Sequence, residues 1–148
     1  GRAKTHNNLG TLALDMGQYH QALPHLQQSQ DLHRANGSRL GEAIALCNLG
    51  RLWARTQQWD DADDAFATSL EIHRVLKVRG GEGIVLTCWG ERFVFGGEHE
   101  RAIELLTQAQ HIHRECKNPA RFKETQTLLD RAGHGDSTIG PAPLAPNP

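Results

Sequence analysis

Large rings are scarce in this chain: aromatic residues make up 5% of its 148 positions, and there is a single methionine. A core with few rings and many small side chains suits closely packed helices better than a β-sandwich, whose strands draw on aromatic and β-branched residues. Long apolar runs are missing as well. No stretch approaches the roughly 18 consecutive apolar residues of a membrane-spanning helix. Nor is there an excess of one charge, since 16 basic residues face 17 acidic ones. The balance runs +2 over residues 1–40, -1 over 41–80, -2 over 81–120 and 0 over 121–148. Phosphate affinity needs concentrated Lys and Arg, so direct nucleic-acid binding is not expected. Cysteine is limited to Cys47, Cys88 and Cys116, an odd number with no close spacing. That pattern excludes an extracellular disulfide framework and makes a cytoplasmic, reducing location the expectation. The start, Gly1-Arg2-Ala3-Lys4, has no apolar signal segment. It lacks an initiator methionine and begins in mid-pattern, so the chain reads as a fragment of a longer protein.

What the sequence does have is a repeat. Laid over itself at an offset of 40, it gives three copies without a gap, over residues 1–40, 41–80 and 81–120. Gly10, Gly50 and Gly90 align, as do Ala22, Ala62 and Ala102. The pairs His33-Arg34, His73-Arg74 and His113-Arg114 coincide, and Leu26, Phe66 and Leu106 share a column. A period of about 20–50 residues marks a stack of identical supersecondary units.

Each copy reads as a helical hairpin. The first helices are expected near 3–16, 41–56 and 81–95, and the second near 19–35, 59–77 and 98–116. Gly17 and Gly96-Gly97 end two first helices as left-handed caps, and Gln57-Gln58 gives a weaker break in the second copy. Pro24 is placed in the first turns of its helix, where a missing N–H costs least. Asn118 before Pro119 is an N-cap signature, so a terminal helix should run over 119–132 and stop at Gly133. The fold class is therefore all-α, an α-α superhelix of three hairpins plus a seventh helix, with the domain closing at residue 134. Four of the six prolines fall in the last eight residues, so 135–148 reads as a flexible Pro-rich tail. Close helix contact needs small residues. Gly10, Gly50 and Gly90 are expected to face Ala22, Ala62 and Ala102, with the 26/66/106 column filling space between hairpins.

Leu9-Gly10, Tyr19, Ala22, Leu26 and Ser29, and better still Leu49-Gly50, Trp53, Trp59, Ala62, Phe66 and Ser69, resemble the tetratricopeptide repeat. That repeat spans about 34 residues, whereas this period is 40. The longer period, with Gly41-Glu42-Ala43 starts, resembles the C-terminal repeats of actinobacterial SARP-type regulators and STAND-type signalling NTPases. Kinesin light chains are similar more loosely. The resemblance covers residues 1–133 and implies a non-enzymatic protein-protein interaction module, with a peptide or partner domain bound in the groove lined by the first helices.

Carried over column by column, the resemblance implies ligand contacts from Lys4, Asn7, Thr11, Leu14 and Asp15 in the first copy. The second copy supplies Ile44, Cys47, Arg51, Ala54 and Arg55, the third Ile84, Thr87, Glu91, Val94 and Phe95, and the last helix Glu124, Thr127 and Arg131. Lys4 and Asn7 alone fit the family's chaperone-tail clamp, so that role is not expected. Arg51 and Arg55 share a helical face, and a pair of forked donors points to a ligand carrying a carboxylate. The alternative for these arginines is pairing with Glu91 or solvent.

Catalysis, cofactors and metals are not expected. His33, His73 and His113 occur once per repeat, too far apart to share an ion, and His111 and His113 face different sides of a helix. The acids Asp60-Asp61 and Asp63-Asp64 lack calcium-loop spacing and suit a helix start. No phosphate-binding loop is present. Two functions remain: a binding module in a larger bacterial signalling or transcription regulator, or a structural array serving self-association (a homo-oligomer) or autoinhibition against other domains of the parent chain.

Overall fold

The computed structural model describes residues 1–133, so the proline-rich segment expected from residue 135 lies outside the described residues. Seven helices follow one another: α1 (Arg2–Asp15), α2 (Tyr19–Ala35), α3 (Arg39–Arg55), α4 (Trp59–Val75), α5 (Arg79–Phe95), α6 (His99–Glu115) and α7 (Pro119–Gly133). No strand occurs among the described residues. The chain is thus an all-α superhelix of three hairpins with a seventh helix packed on α6 and α5.

One turn design serves all six connections. A residue with positive φ recurs every 20 positions, at Gly17, Gly37, Gln57, Lys77, Gly97 and Lys117. The next N–H reaches back five residues to a carbonyl, as in Gln18 to Ala13 at 2.8 Å, Gln58 to Trp53 at 2.8 Å and Asn118 to His113 at 2.9 Å. This is the Schellman closure, which satisfies carbonyls that the helix end leaves open. At Gln57 the expected weak break is instead a full closure, with φ at 59° on a residue that has a Cβ. Asn118 does cap α7, its Oδ1 accepting the Arg121 N–H at 3.2 Å, and Ser38 caps α3 in the same way. Pro24 departs from expectation. It sits inside α2, past the first turn, where it removes one interior hydrogen bond without ending the helix.

Within a hairpin the first-helix glycine faces the large residue of the partner helix, correcting the glycine-to-alanine pairing expected from sequence. A Cβ on Gly10 would come within 2.6 Å of Leu26, one on Gly50 within 2.7 Å of Phe66, and one on Gly90 within 2.6 Å of Leu106. Ala22, Ala62 and Ala102 are fully buried nearby. Leu26 also belongs to a cluster with Leu49 and Leu52 of the next hairpin, so one side chain serves both contacts. Serines add a bond the alignment did not suggest: Ser29 Oγ donates to the Ala3 carbonyl at 2.8 Å and Ser69 Oγ to that of Ala43 at 2.7 Å.

Successive hairpins are joined by the His-Arg pairs. The His33 and His73 rings lie against Gly41 and Gly81, leaving no room for a Cβ there. Arg34 and Arg39 reach the Glu42 carboxylate at 3.3 and 3.0 Å, and Arg74 and Arg79 reach Glu82 at 3.0 and 3.1 Å. Glu42 is almost wholly covered, so two guanidinium groups compensate its lost hydration. A further clamp joins α4 to α5. Arg92, 5% exposed, donates to Asp63 at 3.0 Å and to Glu98 at 2.6 Å, with its guanidinium 4.7 Å from the Trp59 ring centroid. Its Nε is 2.8 Å from Asp63 but off the hydrogen-bond axis, so this contact is electrostatic.

The left-handed turn positions make a direct test. A non-glycine residue there carries a steric cost that glycine avoids. Lys77→Gly should stabilise the fold by about 0.5–1 kcal/mol, and Gly17→Ala should destabilise it by a similar amount. Thermal melts of the two variants shifting in the same direction would overturn this account of the turns.

Candidate functional site: the groove of the odd-numbered helices

The odd-numbered helices touch one another in series, α1 to α3, α3 to α5 and α5 to α7. Among the described residues the backbones of the even-numbered helices do not come as close to one another. The odd row is therefore the inner wall of a curved stack, where spacing is tightest. It encloses a groove of about 720 Å³.

Its walls are polar. From α1 come Asn7, Asn8, Thr11 and Asp15; from α3, Asn48, Arg51 and Arg55; from α5, Glu91; and from α7, Arg121 and Glu124. Apolar Leu12 and Ile84 also border it, and Cys47, Thr87 and Cys88 contribute to its lining. The charges are paired across repeats. Arg51 meets Asp15 at 3.2 Å, and Arg55 meets Glu91 at 3.8 Å while covering the Phe95 ring at 4.9 Å. Asn48 donates to Asn7 Oδ1 at 3.0 Å and accepts from Arg51 at 3.2 Å, which ties α1 to α3 along the groove. Each arginine keeps about a third of its side chain exposed, so a ligand oxygen can reach it. Both also border a second hollow of about 340 Å³ formed with Leu14, Met16 and Tyr19.

Of the residues expected from sequence, Asn7, Thr11, Asp15, Cys47, Arg51, Arg55, Ile84, Thr87, Glu91 and Glu124 come together here. Lys4, Ile44, Phe95, Thr127 and Arg131 do not line the groove. Lys4 is exposed, Phe95 lies beneath Arg55, and Arg131 is half-buried near enough to Glu91 to act on its charge. Leu14, Ala54 and Val94 are core residues, at most 5% exposed. Thr87 is correctly placed but not free. Its hydroxyl donates to the Gly83 carbonyl at 2.8 Å and lies 2.9 Å from His113 Nε2. With its one proton committed to the carbonyl, Thr87 accepts from His113 Nε2–H. Burial lowers the pKa of His113, helped by the Arg121 charge, in keeping with a neutral ring.

Leu12 and Arg121 line the groove without being expected from sequence, as do Asn8, Asn48 and Cys88, one column beyond 7/47/87. The 8/48/88 column is legible only once superhelical twist is known, because that twist turns a second column toward the inner wall. Among the described residues no group of three or more His, Cys, Asp or Glu side chains converges to hold a metal, and no helix is long and apolar enough to cross a membrane.

Residues 1–74 match the family model described as Tetratricopeptide repeat. No curated protein matches the chain.

Burial raises the pKa of Glu91, with Arg55 opposing it. Below the ordinary carboxyl value of 4.5 the native state holds a neutral acid at no cost, and stability is lost as pH rises through the raised value. Glu91→Gln removes that penalty. Its stability relative to the native protein should therefore improve as pH rises from 4.5 toward neutrality in urea melts, and level off once the native acid is ionised. A difference that stays constant with pH would show that Glu91 is solvated like a surface acid.

Proposed function

Because the chain belongs to the tetratricopeptide repeat family, whose members generally mediate protein-protein interaction, we propose that the odd-helix groove binds an extended segment of a partner protein and grips a carboxylate through Arg51 and Arg55. One observation carries this reading: two arginines on one helical face stand at the meeting of two hollows, each paired to an acid of a neighbouring repeat yet accessible. Such pairs are exchangeable. An incoming carboxylate replaces Asp15 or Glu91 as partner, so the arginines never face the groove uncompensated. Asn7, Asn8 and Asn48 offer amide groups to the backbone of an extended ligand. The chain then acts as the sensing or regulatory part of a larger bacterial signalling or transcription regulator, a placement that rests on resemblance rather than on the groove.

A pull-down from lysate compares the native chain with an Arg51→Ala, Arg55→Ala, Glu91→Ala variant of unchanged helical circular dichroism. The native chain should retain a partner that the variant binds at least about tenfold more weakly, since each lost charged contact is worth roughly 1.5–3 kcal/mol. Equal retention by both would remove the groove from the function.

A second reading has its own support. Leu12 on α1 and Met16 just after it are 58% and 62% exposed, whereas Leu52, the column mate of Leu12, is 2% exposed. This open apolar edge would serve self-association. Light scattering should then show mass rising with concentration in the native chain and not in Leu12→Glu. A constant monomer mass would end this reading.

A further inference from the structure

Two cysteines that the proposed carboxylate grip does not use line the groove floor from facing helices, Cys47 on α3 and Cys88 on α5. Their columns are side by side in this fold. One repeat earlier the equivalent positions are Asn7 and Asn48, whose side chains meet at 3.0 Å. The same superhelical step places the shorter Cys47 and Cys88 side chains toward one another, and both are free thiols. The third cysteine, Cys116, is exposed and does not border the groove.

We infer that Cys47 and Cys88 form an oxidisable dithiol, a covalent modification site for small peroxides, which closes to a disulfide bridging the second and third repeats. The inference goes beyond peptide binding and does not depend on it, because it needs only the facing columns and a route for a small molecule along the groove.

The roles of the two sulfurs follow from their surroundings. Hydrogen bonding with Cys88 lowers the pKa of Cys47, with help from the Arg51 and Arg121 charges against the effect of burial. The same hydrogen bond, together with burial, raises that of Cys88. Cys47 is thus the attacking thiolate and Cys88 the resolving thiol. The Cys47 thiolate attacks one peroxide oxygen and the O–O bond breaks. The departing hydroxide takes up the proton that the thiol released, giving water and a sulfenic acid on Cys47. The Cys88 sulfur then attacks the Cys47 sulfur, and the sulfenic hydroxyl leaves with the Cys88 proton as a second water. Two thiols lose two electrons and two protons, and one hydrogen peroxide becomes two waters. A disulfide holds its Cα atoms within about 4.4–6.8 Å, so the oxidised chain has α3 pinned to α5 along the groove floor.

The test uses a Cys116→Ser chain treated with equimolar hydrogen peroxide in native buffer, followed by thiol counting in denaturant and tryptic mapping. Cleavage after arginine places Cys47 in residues 40–51 and Cys88 in residues 80–92. The expected result is a fall from two thiols to none, with these two peptides joined within one chain and separated by reductant. Dimedone should label Cys47 in a Cys88→Ser, Cys116→Ser chain, where the resolving thiol is gone. Two thiols that remain alkylatable, or a Cys47 that runs on to sulfinic acid without bridging, would overturn the inference. Dimedone labelling of Cys88 in Cys47→Ser, Cys116→Ser, with none of Cys47 in the converse chain, would overturn the assignment of roles.

Discussion

Everything in this stack depends on how one hairpin seats on the next, and that seat is a histidine ring laid on a glycine beside a carboxylate held by two arginines. Arg34 and Arg39 converge on Glu42 as His33 covers Gly41, and Arg74 and Arg79 converge on Glu82 as His73 covers Gly81. The glycine sets the distance, because any Cβ there would enter the ring. The ion pairs set the rotation, since a covered carboxylate without both guanidinium groups would be costly. A change at either component disturbs the step from repeat to repeat rather than one local contact. The third joint shows what is variable: column mates Arg121 and Phe122 replace Gly and Glu, and Arg114 lies 5.0 Å from the Phe122 ring centroid instead of reaching a carboxylate. There the arginine keeps a partner through the ring quadrupole, while α7 seats without a second helix of its own.

A constant step makes the groove periodic. Arg51 and Asp15 are 36 positions apart, as are Arg55 and Glu91, one repeat less one helical turn. This is the stack's counterpart of the i, i+4 pair on a single helix, with the partner supplied by the neighbouring repeat. Charges brought together in this way stay partly hydrated and exchangeable, unlike the covered Glu42 and Arg92 outside the groove. The contrast separates interactions that hold the stack from those free to trade partners.

The sequence disclosed the repeat, the seven helices and the inner row because these rest on local pattern: period, glycine and capping signals, and apolar stripes. Asn118 and Gly17 act as such signals say they should. The misplaced details all depend on relations between helices. Gly50 faces Phe66 rather than Ala62 because the helix crossing puts the ring over the gap, which alignment alone does not specify. Leu14, Ala54 and Val94 fall in the core because their columns lie just past the edge of the groove, where twist and not spacing decides exposure. Gln57 adopts a glycine conformation because the Schellman bonds of the turn outweigh the local steric cost.

The inner wall also shows why a rigid repeat can carry variable chemistry. The facing columns 7·48, 47·88 and 87·128 hold an amide pair, a thiol pair, and a threonine with Leu128 in turn. At the first, the amides bond to each other and to Arg51, so the pair presents hydrogen-bonding groups to the groove. At the third, Thr87 turns inward to Gly83 and His113 and Leu128 is buried, so that step offers little to a ligand. Backbone placement repeats along the helices while side-chain chemistry does not. A binding groove built this way is tuned one column at a time, without disturbing the His-Gly and Arg-Glu seats that fix its shape.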